Sequence, residues 1–582
     1  MKKNYLLMLV LFVMPLMLGA QVLNIGGHRA PLDQLNHIWL CSVPQSTFGS
    51  DFSAQVVYGD ELTDLAIDGT AIASGDVFVF DGVAGSRQYT VTAHQGDSLI
   101  TGAITFTWLP VVELDGNFGN SYRYGTVTVS EPDSVNTEPM QARLKWRGIA
   151  TNTNNKHKRN YRIKFIADDS TKMNRTFFGL RNDNCWILDA GQMDFLRVRN
   201  RVSTDLWLDM ARKPWYADSV SSEIHNGSRG QMVEVLLNGN YVGIYNMCEP
   251  IDRKQMKIKR FEPKGQVFHG QLWMAYKWTQ TVTMSLPESR RPGTKDWDGF
   301  EVKYPDPDEI RVVRWTALDD DVWFAKRADE NHELLDSMGY HFDIPVMQDY
   351  YIFIAALQAL DNESKNIFYA CYDYQLNNRV TMVPWDLDIC LGQNFAPEVN
   401  LPEMVKPDQD LSWIMHLPMV NMYENVEEYR NEIIDRYKEL RQTVLNTDSL
   451  VNRYRSAIDE LENSGAAARE EARWSGDTDL AKKALDLSAE MDYVENWIRR
   501  RMAYLDEFVF NPNPNPNPGP GPGPDPIKGD VNGDGEVSVA DINMLVDIIL
   551  GGNDNSEGRS DVNGDGEVSL ADINEVISII LG

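Results

Sequence analysis

Residues 347–392 read MQDYYIFIAALQALDNESKNIFYACYDYQLNNRVTMVPWDLDICLG. The stretch MQDYYIFIAALQAL is apolar over a helical length and predicts a buried helix that ends near residue 360. The later runs IFYACYDY and VTMVPWDLDICLG predict two strands joined by a turn. A helix and strands in one short segment indicate an α+β body, which we expect to extend from about residue 111 to residue 508.

Acidic and amide side chains follow the helix and the second strand of this segment. Asp361 and Asn366 form a D-x-x-x-x-N pair, whereas Asp386 and Asp388 follow a Pro-Trp pair at the end of the strand. Phosphoryl transfer needs a carboxylate that orients the accepting hydroxyl, and an amide and a carboxylate that hold metal on the nucleotide phosphates. These residue types occur here in that order. Each pair alone also fits a plainer role, a capped loop for the first and a turn or structural ion pair for the second.

Two basic strands precede this segment in residues 142–165, ARLKWRGIATNTNNKHKRNYRIKF. Strands on either side of a small polar loop could close over phosphates, with a strand lysine reaching them. A basic hairpin face that is merely solvated is the alternative. The basic side chains of interest in this segment are Lys145, Arg147, Arg159, Arg162 and Lys164. Farther along, Asn238-Gly239 predicts a tight hairpin whose second strand ends at Glu249, a hinge whose backbone could face an adenine.

A duplicated acidic motif lies near the C-terminus. DVNGDGEVSVADIN at 530–543 recurs as DVNGDGEVSLADIN at 561–574. Ca²⁺ takes several oxygen ligands at alternating positions of such a loop, with a glycine at the sharp turn. The predicted ligands are Asp530, Asn532, Asp534, Glu536, Ser538 and Asp541 in the first loop, and Asp561, Asn563, Asp565, Glu567, Ser569 and Asp572 in the second. An apolar helix is expected directly after each loop.

Composition narrows the class of protein. The 582 residues carry 55 Lys and Arg against 85 Asp and Glu, a net charge of −30. This length predicts more than one domain, and this charge argues against a general nucleic-acid binder. Between residue 525 and the C-terminus, 13 acids face two basic residues, so the acidity is partly local. A local carboxylate cluster suggests ligands for a cation.

The N-terminus predicts export. Two lysines, an apolar run and a small-residue end make residues 1–20 a secretory signal peptide, so we expect a secreted or cell-surface protein without a transmembrane anchor. The five cysteines are scattered, which favours structural thiols, with at most a single disulfide expected, over a disulfide framework or a zinc site. Short strands and turns over residues 21–110 predict an Ig-like β-sandwich, and the Pro/Gly-rich residues 509–527 predict an extended linker.

Seven strings occur in order along the body: KWRG, NYRIKF, LRNDNCWILDA, LRVRNRVSTDLWLDMA, LLNGNYVGIYNMCEPID, ALDNESKNIFYA and VPWDLDICLG. With these strings, the body resembles the spore-coat CotH family of atypical secreted protein kinases. The resemblance implies an atypical kinase-like fold that uses ATP with Mg²⁺ or Mn²⁺. By the same resemblance Asp361 is the catalytic aspartate. The metal-side residues are Asn366, Asp386 and Asp388, and the nucleotide contacts are Lys164 for the phosphates, with Lys145 and Arg147 as rivals, and Glu249.

Residues 528–582 resemble a type I dockerin. The resemblance rests on the two loops, each running into an apolar helix, behind a Pro-rich linker. It implies a small all-α module that folds around two Ca²⁺ ions and binds a cohesin on a scaffold or surface protein.

The leading functional hypothesis is a secreted kinase that phosphorylates protein hydroxyls and is tethered through its dockerin. Two other classes remain open. One is a non-catalytic, pseudokinase-like binding protein on a surface or scaffold. The other is a component that acts on polysaccharide. The protein substrate is unknown in every case.

Overall fold

The computed structural model describes residues 22–148, 156–290, 293–307, 309–393, 405–409, 416–477, 484–511, 528–529, 531, 537, 539–550, 560–563 and 565–581. The predicted signal peptide, residues 512–527 of the predicted linker, and Asp530, Asn532, Asp534, Glu536 and Ser538 lie outside this range. The structure divides into two units. The first runs to Val405 and resumes until Asp492, and the second comprises the residues from Lys406 to Asp410 together with those from Tyr493 onward.

The N-terminal region of the first unit is a nine-stranded sheet of order β6-β5-β8-β9-β3-β2-β1-β4-β7. Its strands are β1 Val22–Ile25, β2 His28–Asp33, β3 Ile38–Ser42, β4 Phe52–Val57, β5 Thr63–Ile67, β6 Thr70–Ala71, β7 Val77–Phe80, β8 Gln88–Gln95 and β9 Ser98–Thr107. In β8, every second residue is buried, which is the strand pattern that the sequence predicts. Phe80 of the edge strand β7 contacts Tyr89 and Phe106, each at 5.1 Å between ring centroids, so the sheet folds over one core.

A closed barrel of order β10-β11-β12-β13-β14-β16-β15 follows. Its strands are β10 Val111–Asp115, β11 Arg123–Ser130, β12 Met140–Arg147, β13 Asn160–Phe165, β14 Cys185–Asp189, β15 Gly230–Leu237 and β16 Asn240–Cys248. Asn238 and Gly239 both have positive φ in the turn between β15 and β16, as the Asn-Gly pair predicts. Leu144, Ile163 and Leu188 fill the interior, so the alternating basic residues of β12 and β13 lie on the outer face.

A five-stranded antiparallel sheet of order β18-β19-β17-β20-β21 packs against this barrel. Its strands are β17 Gln271–Ala275, β18 Asp296–Trp297, β19 Phe300–Tyr304, β20 Ile367–Cys371 and β21 Val380–Pro384. Ile187 and Cys248 on the outside of the barrel share one apolar cluster with Leu272, Phe368 and Val383 of the sheet. This shared apolar cluster joins the barrel to the sheet.

Helices surround these sheets, and helices also make up most of the described residues of the second unit. They are α1 Arg199–Met210, α2 Ala217–Val220, α3 Thr316–Glu330, α4 Ile344–Leu357, α5 Leu417–Asn425, α6 Glu427–Arg441, α7 Thr447–Asn463, α8 Ala466–Trp474, α9 Leu487–Tyr504, α10 Val539–Ile549 and α11 Leu570–Leu581. Helix α4 is buried from Val346 to Leu357 and ends at Gln358, whose φ of 45° is left-handed. In the second unit, Leu545 of α10 and Val576 of α11 lie in one apolar core with Val531 and Val562.

The described structure thus mixes β-sheets and helices, in agreement with the predicted α+β class. None of the helices in the described ranges combines the length and the apolar character that a bilayer crossing requires. All five cysteines are buried free thiols: Cys41, Cys185, Cys248, Cys371 and Cys390.

Candidate active site

The loop that carries Asp361 is tied to the end of strand β21. After α4, residues Leu360–Asn362 form one 3₁₀ turn. The Asn362 amide group donates to the carbonyl of Trp385 at 2.8 Å, and the backbone N–H of Trp385 donates to the carbonyl of Asn366 at 2.9 Å. The Tyr350 hydroxyl donates to the carbonyl of Asn362 at 2.8 Å. These bonds hold the loop beside Asp386.

Two of the predicted site residues have left-handed backbone conformations. The φ angle is 53° at Asn366 and 61° at Asp386. Asn and Asp enter this region at lower cost than most residues, but the conformation still stores some strain, a common feature of functional sites. The bond between the Trp385 N–H and the Asn366 carbonyl ties these two backbone positions together.

Asp361 and Asn366 are in direct contact. The Asn366 side-chain amide donates to Oδ2 of Asp361 at 2.8 Å, and Nζ of Lys365 lies 2.7 Å from the same oxygen. Desolvation raises the pKa of Asp361, while Lys365 and Asn366 partly offset this rise. Lys365 is not among the residues that the sequence motifs indicate, yet it forms an ion pair with the predicted catalytic carboxylate.

Asp386 and Asp388 are partly buried among other carboxylates. Desolvation raises the pKa of Asp386 to about 6, Asp189 and Asp361 raise it as well, and Arg147 opposes them. The pKa of Asp388 is raised by desolvation and then by Asp386, Asp189 and Asp361. We call Asp189, Asp361, Asp386 and Asp388 the carboxylate cluster. Its four carboxyl groups outnumber the nearby cations Arg147 and Lys365.

Asp189 and Asn200 were missed from the sequence. Asp189 ends β14, and its Oδ2 accepts a hydrogen bond from the Asn200 amide at 2.6 Å. The Oδ1 atom of Asn200 accepts from the backbone N–H of Leu387 at 3.0 Å. Asn200 of α1 therefore connects the end of β14 to the loop between Asp386 and Asp388. Both residues occur in strings that support the family resemblance, but only the sheet register brings them together.

The outer face of β12 and β13 forms a basic wall beside the carboxylate cluster. We call its five cations the basic strip: Arg143, Lys145, Arg147, Arg162 and Lys164. The Arg147 guanidinium lies 5.1 Å from the Trp385 ring centroid, next to Asp386. The pKa of Lys145 is lowered by desolvation and then by Arg162, Lys303 and Arg147, whereas Glu301 raises it. This influence of Glu301 and Lys303 shows that β19 lies across from the strip.

The second calcium loop has its own, separate geometry. Both carboxylate oxygens of Asp561 accept backbone N–H groups, from Asp565 at 3.1 Å and from Gly566 at 2.8 Å. The φ of Gly566 is 89°, which provides the sharp turn that such a loop needs. Ser569 donates its N–H to Asp572 at 2.8 Å. The loop thus turns its carboxylates inward through its own backbone.

Asp541 is the one predicted ligand of the first loop among the described residues, and it accepts the N–H of Val531 at 2.8 Å. All six predicted ligands of the second loop are described: Asp561, Asn563, Asp565, Glu567, Ser569 and Asp572. Partial desolvation raises the pKa of Asp572, but the N–H groups of Ser569 and Asn563 outweigh it and bring the pKa below its ordinary value. This set of hard oxygen donors fits Ca²⁺.

A family model described as CotH kinase protein matches residues 144–505, more than half of the chain. The chain belongs to the CotH kinase protein family. A second model, described as dockerin type I domain, matches residues 528–581, and domains of this type bind calcium. Both findings confirm the resemblances that the sequence motifs indicate. No curated protein matches the chain.

The CotH match contains the whole carboxylate cluster and most of the basic strip. Within the described ranges, no three His, Cys, Asp or Glu side chains are arranged to hold a metal ion by themselves. Mg²⁺ at nucleotide sites commonly takes one or two carboxylates, and phosphates and water complete its shell. Asp386 and Asp388, with the Asn366 amide nearby, fit a metal that arrives with a nucleotide better than a permanently held ion.

The CotH barrel separates the three basic candidates for the phosphate contact. Arg147 pairs with Asn160, Lys145 with Arg162, and Lys164 with Arg143. Along β13, Lys164 is therefore four residues from Asn160, the partner of Arg147, which is about 13 Å at the usual rise per residue. Lys145 and Lys164 both lie over the Tyr122 ring, at 5.1 and 4.8 Å from its centroid. The geometry favours Arg147 as the cation at the carboxylate cluster, and the role of Lys164 stays a prediction.

Glu249 lies at the end of the CotH strand β16 and is 1% exposed. Its carboxylate accepts from Nη2 of Arg229 at 2.7 Å and from the backbone N–H of Arg181 at 2.9 Å. Both bonds hold the barrel loops together. The nucleotide contact expected for Glu249 stays a prediction, and its ion pair points to a structural role.

Proposed function

We propose that the CotH body is an atypical, kinase-like phosphotransferase that moves the γ-phosphate of ATP to a protein hydroxyl. The observation that carries this proposal is the grouping of Asp361 and Arg147 around Asp386, whose pKa both of them influence. Cations beside a group of carboxylates are what a nucleotide triphosphate with its metal requires. The barrel would then serve as the nucleotide-binding lobe of a kinase-like fold spanning residues 111–508.

Each side chain has a chemical task in this proposal. Arg147 and the other cations of the basic strip bind phosphate oxygens. Asp386 and Asp388 hold Mg²⁺ or Mn²⁺, which when bound neutralises phosphate charge and polarises the phosphoryl group. Asn366 orients Asp361, and Asn200 positions Asp189 and the Leu387 backbone.

Asp361 acts on the hydroxyl of the protein substrate. The hydroxyl oxygen forms a bond to the γ-phosphorus, the bond from that phosphorus to the β–γ bridging oxygen breaks, and ADP leaves with the electron pair. The hydroxyl proton passes to the Asp361 carboxylate. The raised pKa of Asp361 suits a proton acceptor, and the Lys365 ammonium balances the charge while the carboxylate is ionised.

The C-terminal residues 528–582 attach this body to a partner. The dockerin match supports a calcium-dependent interaction with a cohesin-bearing scaffold or surface protein. Together with the predicted signal peptide, it supports secretion or display at a cell surface. The β-rich residues 21–110 would form a separate module in front of the kinase-like body.

One observation favours a non-catalytic binding protein as the second candidate. The Asp361 carboxylate is already paired with Lys365 at 2.7 Å, an arrangement that could simply stabilise the loop. A pseudokinase of this kind would bind nucleotide without transferring phosphate.

Phosphate transfer from radiolabelled ATP distinguishes the two candidates. Wild-type protein with Mg²⁺ or Mn²⁺ should label itself or an added protein, and Asp361→Asn should lose about 100-fold or more in rate with nearly unchanged ATP affinity. Asp296→Asn, at an exposed position of β18, is the matched control. ATP binding without labelling by the wild type would favour the pseudokinase. Equal labelling by all three proteins would exclude the assignment.

A further inference from the structure

A cleft lies between the N-terminal sheet and helix α7, and it shares no residue with the carboxylate cluster or the basic strip. Its volume is about 830 Å³, within the range of roughly 300–1,000 Å³ typical of ligand sites. The side chains that decide its chemistry are Phe48, Trp108, Ser456, Asp459, Glu460 and Asn463.

One wall of the cleft is a polar stripe of helix α7. Ser456, Asp459, Glu460 and Asn463 are spaced three, four and seven residues from the first, so they share one face of the helix. Among the described residues, none of these four side chains has a hydrogen-bond partner in the protein. The stripe therefore presents two carboxylates, an amide and a hydroxyl that a ligand can satisfy.

The opposite wall is aromatic. Phe48 and Trp108 meet edge to face, with ring centroids 4.6 Å apart and planes at 81°. Both side chains are partly exposed. Both rings line the cleft, and their edge-to-face contact gives this apolar wall a defined orientation.

Backbone hydrogen bonds hold the loops on the aromatic side of the cleft, and a close backbone approach joins them to the end of α7. Gly49 donates its N–H to the carbonyl of Val83 at 2.8 Å, and Val83 donates to the carbonyl of Ser50 at 2.9 Å. At one end of the cleft, a Cβ atom on Gly85 would overlap the backbone at Gly465. The sheet loops thus lie against the turn after α7 at a distance that only glycine permits. The cleft is preformed, which lowers the entropic cost of binding.

We propose that this cleft binds a carbohydrate chain. Sugar rings present apolar C–H faces that pack on aromatic rings, and hydroxyl groups that both donate and accept hydrogen bonds. The aromatic wall of Phe48 and Trp108 can pack against the apolar faces of the sugar rings. The donors and acceptors of the α7 stripe can hydrogen-bond to the sugar hydroxyl groups. A phosphate-rich ligand would be repelled by Asp459 and Glu460. A purely cationic ligand would leave the donor groups of Asn463 and Ser456 unmatched.

The two sites have no residue in common. Carbohydrate binding therefore does not depend on the proposed phosphotransfer, and either activity can fail without the other. A full-length chain with Asp361→Asn should retain sugar binding at wild-type strength. The cleft would bring the body to a glycan surface.

Affinity electrophoresis of the full-length chain in native gels tests the proposal. The probes are the uncharged or weakly charged polysaccharides soluble β-glucan, xylan, glucomannan, arabinogalactan and galactomannan. At least one should retard the wild type, and Trp108→Ala should weaken that retardation about tenfold or more. Asp459→Asn, at an exposed position, should weaken it severalfold and keeps the test valid if the tryptophan variant does not fold. Glu462→Ala, an exposed acid of α7 outside the cleft, is the matched control.

Two outcomes would overturn the proposal. One is migration unaffected by all five polysaccharides. The other is retardation that Trp108→Ala and Asp459→Asn leave unchanged in folded protein. Binding of an oligolysine peptide that depends on Asp459, without any polysaccharide binding, would identify the cleft as a cation site instead and would equally reject a carbohydrate ligand.

Discussion

The second calcium loop and the carboxylate cluster of the CotH body both concentrate acids, but they compensate the charge in different ways. In the loop, twelve consecutive positions supply the ligands, and backbone N–H groups already neutralise part of the charge of Asp561 and Asp572. In the body, Asp189, Asp361 and Asp386 come from distant parts of the chain. Desolvation and mutual repulsion raise the pKa of Asp386 to about 6, whereas the pKa of Asp572 is lowered.

The difference shows two ways of preparing for a cation. In the loop, local backbone hydrogen bonds orient the carboxylates before a cation binds. The calcium affinity of the loop therefore depends on whether those few residues are folded. The cluster holds its acids close together at a cost to the fold, and ligands with positive charge relieve that cost. Removing one carboxylate should therefore affect the two sites differently.

The largest expected effect is on phosphate transfer in Asp386→Asn. The substitution keeps the shape of the side chain and removes the charge that would face a metal, so the rate should fall about 100-fold or more. Labelled ATP measures the rate of phosphate transfer, and a calcium titration of the same full-length protein measures calcium binding by the C-terminal loops. Calcium uptake should be unchanged, since the loop ligands are separate. Unchanged transfer would remove Asp386 from the site.

Calcium removal should affect the C-terminal calcium loop and leave the CotH body unchanged. With chelator, amides of residues 561–581 should lose protection from hydrogen exchange by about 100-fold, since a ligand at one hundred times its Kd stabilises by about 2.7 kcal/mol. Amides of barrel strands β13 and β14 should keep their protection. Mass spectrometry of peptides from the full-length chain separates the two regions. Equal protection of the tail with and without chelator would contradict a calcium-folded module.

A smaller effect should separate Arg147 from Lys164. If Arg147 is the phosphate contact at the cluster, Arg147→Ala should weaken ATP binding about tenfold, the value of one charge-assisted hydrogen bond. Lys164→Ala should weaken it less than about threefold, because its row is about 13 Å away along the strands. Calorimetric titration of both variants with ATP and Mg²⁺ gives the comparison. The opposite ranking would restore Lys164 as the phosphate lysine.

The smallest effect concerns Asn200, which bridges Asp189 and the Leu387 backbone. Asn200→Ala should lower kcat about fivefold and leave the KM for ATP nearly unchanged, because the side chain positions other groups. Asn425→Ala, whose amide bonds only within its own helix at Asn421, is the control. An increase in KM without a change in kcat would mean that Asn200 contributes to binding instead.

The sequence predicts local features of both sites better than it predicts their assembly. The loop ligands follow from spacing alone, because every one lies within twelve residues. The pairs Asp361–Asn366 and Asp386–Asp388 are likewise short motifs. Asp189 was missed because its proximity to Asp386 follows from how β14 pairs in the barrel and how α1 packs. The sequence alone likewise does not rank Lys164 against Arg147, because their positions relative to the cluster follow from the strand register.

The buried thiols have a practical consequence. Burial is the main cause that raises the pKa of Cys248 to about 11 and that of Cys390 to about 12, so neither is a reactive thiolate at neutral pH. With all five cysteines unpaired and buried, folding of the first unit needs neither an oxidant nor a disulfide isomerase. The protein should reach the same fold in a reducing cytosol and in an oxidising medium, and reductants in a buffer should leave its melting temperature unchanged.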